Sequence, residues 1–160
     1  MTVHILDPEV HMYDVPGHTL TEAATVITSM AEAGKAEWWP QFSYESENSF
    51  VSAVNVSVPQ RKTMPHWVGY ADASQPMKDE WDRFWHALDA HEQGHFDLVV
   101  SCLAQLDQVL VGQPVSDVQR VFNDAVAALN AASSAYDVQT SHGVTQGTTI
   151  DLDVEAAASS

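Results

Sequence analysis

The chain has 160 residues, of which 45% are hydrophobic, and it carries 22 acidic against 6 basic residues. Its formal net charge of −16 repels phosphate backbones and anionic lipid, so binding to nucleic acid or to a membrane is disfavoured. The single cysteine, Cys102, excludes an internal disulfide and a cysteine-based metal cluster. The length suits one domain, expected over residues 1–155, and the composition of 156–160 predicts a disordered tail.

The N-terminal part of the chain predicts a strand followed by a helix. Residues 9–15 form the candidate strand. Thr19 and Glu22 match a capping box, in which each side chain bonds a backbone N–H group of the first helical turn. Gly34 suits the position that follows a helix C-terminus, so we expect the helix to end just before it and to pack on the sheet.

Two runs with strand periodicity come next. Residues 37–47 and 50–58 alternate between apolar and polar side chains, with the pair Asn48-Ser49 placed to turn one strand into the other. Pro40 cannot donate a hydrogen bond to a ladder, so its strand is expected at a sheet edge or with a bulge.

The second half of the chain predicts two long helices. After an irregular connection over 59–67, apolar residues recur at three- and four-residue steps from about 77 to 111. Gly112-Gln113-Pro114 ends this helix, and Ser116 with Gln119 is a second capping-box pattern. Because the turn between them is short, the two helices should pack antiparallel.

The first long helix contains the motif His91-Glu92-Gln93-Gly94-His95. Residues four apart project from one helix face, so His91 and His95 can offer two imidazole nitrogens to one metal ion. Glu92 lies about 100° around the helix, where it can reach a water at the metal, as in zinc-dependent peptidases. The alternative is a pair of hydrogen-bonded histidines in the protein core.

Gly94 is unusual within this helix. A glycine in a helix interior costs about 1 kcal/mol relative to alanine, and no helix end is expected there. We interpret it as space for the close approach of another backbone or of a substrate, the alternative being a tolerated helical glycine.

The antiparallel pairing also indicates where a third metal ligand lies. Residues 133–137 of the second helix should face the histidine pair, and both Asp137 and His142 are chemically suitable ligands. We assign the ligand to His142, because imidazole suits zinc and Gly143 lets the chain bend back. Asp137 then accepts a hydrogen bond from a ligand or is itself the ligand. Tyr136 is a candidate for stabilising an oxyanion, with helix packing as the alternative.

These residues resemble the motifs of the DUF922 family, bacterial proteins that are predicted zinc-dependent proteases. The resemblance covers most of the chain and rests on Tyr13-Asp-Val-Pro-Gly-His-Thr19, Met64-Pro-His-Trp67, Trp81-x-x-Phe84 leading into the histidine motif, and Tyr136-Asp-x-x-Thr-x-His-Gly143. It implies a small zincin-like domain of the α+β class, with an N-terminal sheet packed on the ligand-bearing helix. It also implies export to the cell envelope or beyond, whereas no signal peptide is visible in this chain.

We therefore expect a zinc metallopeptidase that hydrolyses a peptide or protein substrate. Zn²⁺ held by His91, His95 and the third ligand would lower the pKa of its bound water. Glu92 would accept the proton from that water and later deliver it to the leaving amine. The strand at 50–58, if it lies at a sheet edge, could bind an extended peptide by strand addition.

The alternative function is that of a non-catalytic binding protein. A structural zinc ion normally has four protein ligands, so both Asp137 and His142 would coordinate it and fix the two helices. The acidic surface would then bind a partner.

Overall fold

The structure of the chain, a computed structural model, describes residues 2–158. In this range the chain forms six strands and five α-helices, so the fold is α+β, as the sequence predicts. The strands are β1 (Thr2–Ile5), β2 (Glu9–Val15), β3 (Lys35–Trp38), β4 (Gln41–Glu47), β5 (Phe50–Val58) and β6 (Gln60–Trp67). The helices are α1 (Leu20–Ser29), α2 (Gln75–Leu103), α3 (Leu106–Leu110), α4 (Val118–Thr140) and α5 (Asp153–Ala158). None of the described helices has both the length and the hydrophobicity needed to span a lipid bilayer.

The described residues cluster into two compact units. The first comprises the residues up to Glu9 together with Glu37–Arg61 and Gly94–Tyr136, and the second comprises Val10–Ala36, Lys62–Gln93 and the residues from Asp137 onward. The single domain expected over 1–155 stays a prediction. Of the expected disordered tail, residues 156–158 belong to α5, and 159–160 lie outside the described residues.

The first unit contains a three-stranded sheet in the order β1-β5-β4. β1 runs parallel to β5 and β4 runs antiparallel to it, with Phe42 opposite Val56. Val54, Val56 and Val58 are buried at alternate positions of β5, and they pack in one core with residues of α3, α4 and the end of α2. Since β5 lies between two strands, the edge position required for strand addition at 50–58 is not present.

The hairpin between β4 and β5 is confirmed. Glu47 pairs with Phe50, leaving Asn48 and Ser49 as a two-residue turn with φ of 50° and 68°. Positive φ at both positions is typical of a type I′ turn, whose twist matches that of the flanking strands.

The second sheet has the order β2-β6-β3, and α1 packs on it as expected. The predicted capping box at Thr19 and Glu22 is present at the start of α1. The buried core of this unit combines residues of β2, α1, β6 and α2, among them Val15, Leu20, Met64, Trp67 and Phe84.

The expectation of an irregular segment over 59–67 is wrong, because β6 occupies 60–67. Its buried positions include Gln60, Lys62 and Met64. Because two of these three residues are polar, β6 does not show the alternation of apolar and polar side chains by which strands are predicted. Burial of Lys62 is compensated by Asp89, whose Oδ1 lies 2.8 Å from its Nζ.

Three element boundaries also differ from the sequence expectations. The run 37–47 is interrupted at Trp39-Pro40 and contributes strands to two different sheets, so there are two small sheets in place of the single N-terminal one expected. α1 ends at Ser29, well before Gly34. The long helix expected from about 77 to 111 is broken between Leu103 and Leu106.

The type I′ turn gives a test of backbone strain. We expect Ser49→Gly to raise the free energy of unfolding by about 1 kcal/mol, because glycine adopts positive φ without a Cβ penalty. Ser52→Gly, at an exposed and extended position of β5, is the matched control and should lower it by about 0.5–1 kcal/mol. Urea denaturation measures both variants. If Ser49→Gly does not stabilise the protein, the turn assignment is contradicted.

Candidate metal centre

The histidine motif lies within α2, as the sequence predicts. His91 and His95 are 4% and 6% exposed, so both imidazoles are removed from bulk water. Buried polar side chains are stable when hydrogen-bonded or bound to a metal ion, and both histidines make such contacts.

His91 contacts one side chain through each ring nitrogen. Its Nδ1 lies 2.8 Å from Gln146 Oε1, and its Nε2 lies 3.3 Å from Asp137 Oδ1. Both partners are acceptors, and a neutral imidazole has one N–H. The contact with Gln146 is the shorter of the two, so we assign the hydrogen to Nδ1, which leaves the lone pair of Nε2 facing the carboxylate. Two acceptors at this distance attract a cation between them, either a proton or a metal ion.

His95 is oriented by residues of α4 in the same unit. Its Nδ1 lies 2.8 Å from Ser133 Oγ, and its ring meets that of Tyr136 edge-on with a centroid distance of 4.9 Å. The contact of His95 with Ser133, and of His91 with Asp137, shows that α2 and α4 run antiparallel, as the short turn predicts.

His91, His95 and Asp137 form a group that could hold a metal ion. Their ligand atoms all lie within 4.8 Å of one another. Two ligands about 2.1 Å from a tetrahedral ion would be about 3.4 Å apart, and the 3.3 Å between His91 Nε2 and Asp137 Oδ1 is close to that value. The group could therefore hold a small divalent cation.

His142 lies outside this group. Its side chain is 76% exposed, and its Nδ1 lies 4.0 Å from Asp137 Oδ1. The backbone explains this position, because Ser141 and His142 have φ of 51° and 54° and the His142 N–H bonds the Asp137 carbonyl, which ends α4. The geometry favours the alternative in which Asp137 is itself the ligand, and the assignment of His142 stays a prediction.

Glu92 is 4% exposed and lies beside the group. Burial, and after it the negative charges of Glu32 and Asp137, raise the pKa of Glu92 to about 8. The Lys62 ammonium and a hydrogen bond from the Ala36 backbone N–H act in the opposite direction. A divalent cation held nearby would favour the ionised carboxylate.

Gly34 has a role that the sequence did not reveal. A Cβ atom at this position would lie 2.6 Å from Glu92 Oε1 and 3.0 Å from Leu88 Cδ1. The absence of a side chain therefore lets the backbone before β3 pass directly over Glu92. It does not mark the end of α1.

Gly94 also makes room for a neighbour. A Cβ atom there would overlap the hydroxyl group of Tyr136. A neighbouring group does approach Gly94 closely, as expected. It is the side chain of Tyr136, whereas a backbone or a substrate was expected. Tyr136 thus packs against the helix next to His95, which is the alternative to a role in oxyanion stabilisation.

A family described as bacterial protein of unknown function (DUF922) matches residues 10–143. The chain belongs to the DUF922 family. The resemblance seen in the motifs is confirmed, and the matched range contains His91, Glu92, His95 and Asp137 but ends before Gln146. No match was found among curated proteins or among solved structures.

Metal titration distinguishes the two candidate ligands of this DUF922 protein. We expect about one zinc ion per wild-type chain, a loss of affinity greater than about 100-fold in Asp137→Ala, and a change of no more than a few-fold in His142→Ala. Chelator competition measures the affinities, and His91→Ala should bind no stoichiometric zinc. Equal loss in both variants would indicate four protein ligands, and loss confined to His142→Ala would restore the sequence-based assignment.

The contact of Gly94 with Tyr136 predicts that Gly94→Ala destabilises the protein, which is the opposite of the usual effect of this change in a helix. In an ordinary helix interior Gly→Ala raises the free energy of unfolding by about 1 kcal/mol. Here overlap with the tyrosine should make Gly94→Ala destabilising by about 1–3 kcal/mol. In a Tyr136→Ala background the same change should be stabilising again. Stabilisation in both backgrounds, measured by urea denaturation, would exclude the contact.

Proposed function

We propose that this DUF922 protein is a zinc-dependent metallopeptidase with a zincin-like site. The proposal is based on the grouping of His91, His95 and Asp137 on two antiparallel helices. The buried carboxyl of Glu92 follows the first histidine directly in the sequence. Three protein ligands leave a fourth position open, which is the arrangement of catalytic zinc sites.

The chemical nature of the ligands supports zinc. Two imidazoles and one carboxylate form a mixed nitrogen and oxygen set that suits Zn²⁺, whereas magnesium and calcium favour oxygen ligands. A zinc ion supplies a Lewis acid that polarises a carbonyl group and acidifies water.

The proposed role of Glu92 is general base and then general acid. Its carboxylate takes a proton from the attacking water and later donates it to the leaving amine of the cleaved peptide bond. The Ala36 N–H bonds this carboxyl, and the backbone at Gly34 packs against it. These contacts limit its rotation and exclude water from one side.

A peptide or protein chain is the proposed substrate. The His-Glu-x-x-His arrangement is typical of enzymes that cleave peptide bonds. Export from the cytoplasm stays a prediction from the family resemblance.

The exposure of His142 argues against the alternative of a structural zinc site. A closed site would need a fourth protein ligand, and this imidazole is largely in solvent. A fourth position left to water or substrate accords with catalysis.

Glu92→Gln tests the proposal, because it retains shape and removes the base. We expect zinc content and melting temperature near those of the wild type, with hydrolysis of an unfolded protein substrate reduced about 10²- to 10⁴-fold. Glu45→Gln, at an exposed position of β4, is the matched control and should be fully active. Zinc-loaded wild type that cleaves nothing in a broad peptide library, or an active Glu92→Gln, would refute the peptidase function.

A further inference from the structure

The chain segment after α4, residues 144–151, is fixed to α2 by hydrogen bonds. We call it the C-terminal strap. Arg83 donates from Nη1 to the Gly147 carbonyl at 2.9 Å and from Nη2 to the Thr149 carbonyl at 2.5 Å. The Asp151 N–H donates to Glu80 Oε1 at 2.6 Å.

The side chains that hold the strap are themselves paired. Arg83 donates to both carboxylate oxygens of Glu80, at 2.8 and 2.7 Å, and Glu80 is buried. A two-pronged contact of this kind fixes the guanidinium plane, so its remaining hydrogens are directed at the strap carbonyls. The pair lies on α2 two to three turns before His91.

Immediately before the strap, at Gly143, the backbone passes close to His91. A Cβ atom at Gly143 would lie 3.0 Å from His91 Cγ and 2.6 Å from Thr148 Cγ2, and Gly143 and Gly147 have φ of 83° and 95°. Both glycines adopt the left-handed conformation that other residues avoid. Gln146, one residue before the second of them, places Oε1 2.8 Å from His91 Nδ1.

We propose that Gln146 is a positioning residue of the metal centre and that the strap holds it in place. The proposal rests on the metal site proposed above. An acceptor at Nδ1 keeps the hydrogen on that nitrogen and turns Nε2 towards Asp137. The Ser133 hydroxyl beside His95 can donate or accept and so does not select a tautomer, whereas the amide oxygen of Gln146 only accepts.

Nitrogen NMR of the metal-free protein tests this role without zinc. At a pH where the histidines are neutral, long-range ¹H–¹⁵N spectra should show His91 protonated on Nδ1 in the wild type. Gln146→Ala should give a mixture of tautomers. Gln146→Glu, which also accepts, should retain the wild-type pattern, and so should the control Gln119→Ala on the exposed face of α4.

Zinc affinity of the same variants, measured by chelator competition, tests the consequence. Gln146→Ala should bind zinc about 10- to 100-fold more weakly, with the melting temperature of the metal-free protein unchanged. Gln146→Glu should bind at least as tightly as the wild type. Arg83→Gln should weaken zinc binding in the same direction, because the strap loses its two side-chain donors.

The outcomes separate the two proposals. If Gln146→Ala keeps the Nδ1 tautomer and the wild-type zinc affinity, the positioning role is wrong. If the wild type binds no zinc, the proposed function fails, and the tautomer spectra still decide whether Gln146 orients His91.

Discussion

Burial of three polar side chains on one turn of α2 is the constraint on which the site depends. His91, Glu92 and His95 are almost completely removed from water, and each would be costly there without a polar partner. The partners come from separate parts of the chain: the backbone before and within β3, helix α4 and the C-terminal strap. Polar contacts with this turn, together with apolar packing, therefore position the surrounding elements.

The charges around Glu92 are unbalanced in a way that a cation would correct. Its neighbours include the carboxylates of Glu32 and Asp137, which raise its pKa, and the Lys62 ammonium, which lowers it. Lys62 is itself paired with Asp89. Carboxyl groups thus outnumber the ammonium among these side chains, and a divalent ion held by the two histidines and Asp137 would offset the excess.

Local patterns in the sequence determined much of this arrangement. The three- and four-residue spacing of apolar side chains placed His91 and His95 on one face of a helix, since periodicity depends only on near neighbours. Asn48 and Ser49 predicted the turn, because both residue types are common in turns. The short connection after α3 was enough to predict the antiparallel pairing that brings α4, and with it Asp137, to the motif.

The sequence by itself thus determined the fold class, the helix that carries the motif and the region of the candidate third ligand. Only the tertiary structure places Asp137 beside the two histidines and leaves His142 largely in solvent, because both positions depend on where α4 ends and on which way the chain turns there. It also decided that Gly34 belongs to the packing of Glu92 and that Gln146 reaches His91. These contacts join residues far apart in the chain, and no local propensity or period encodes them.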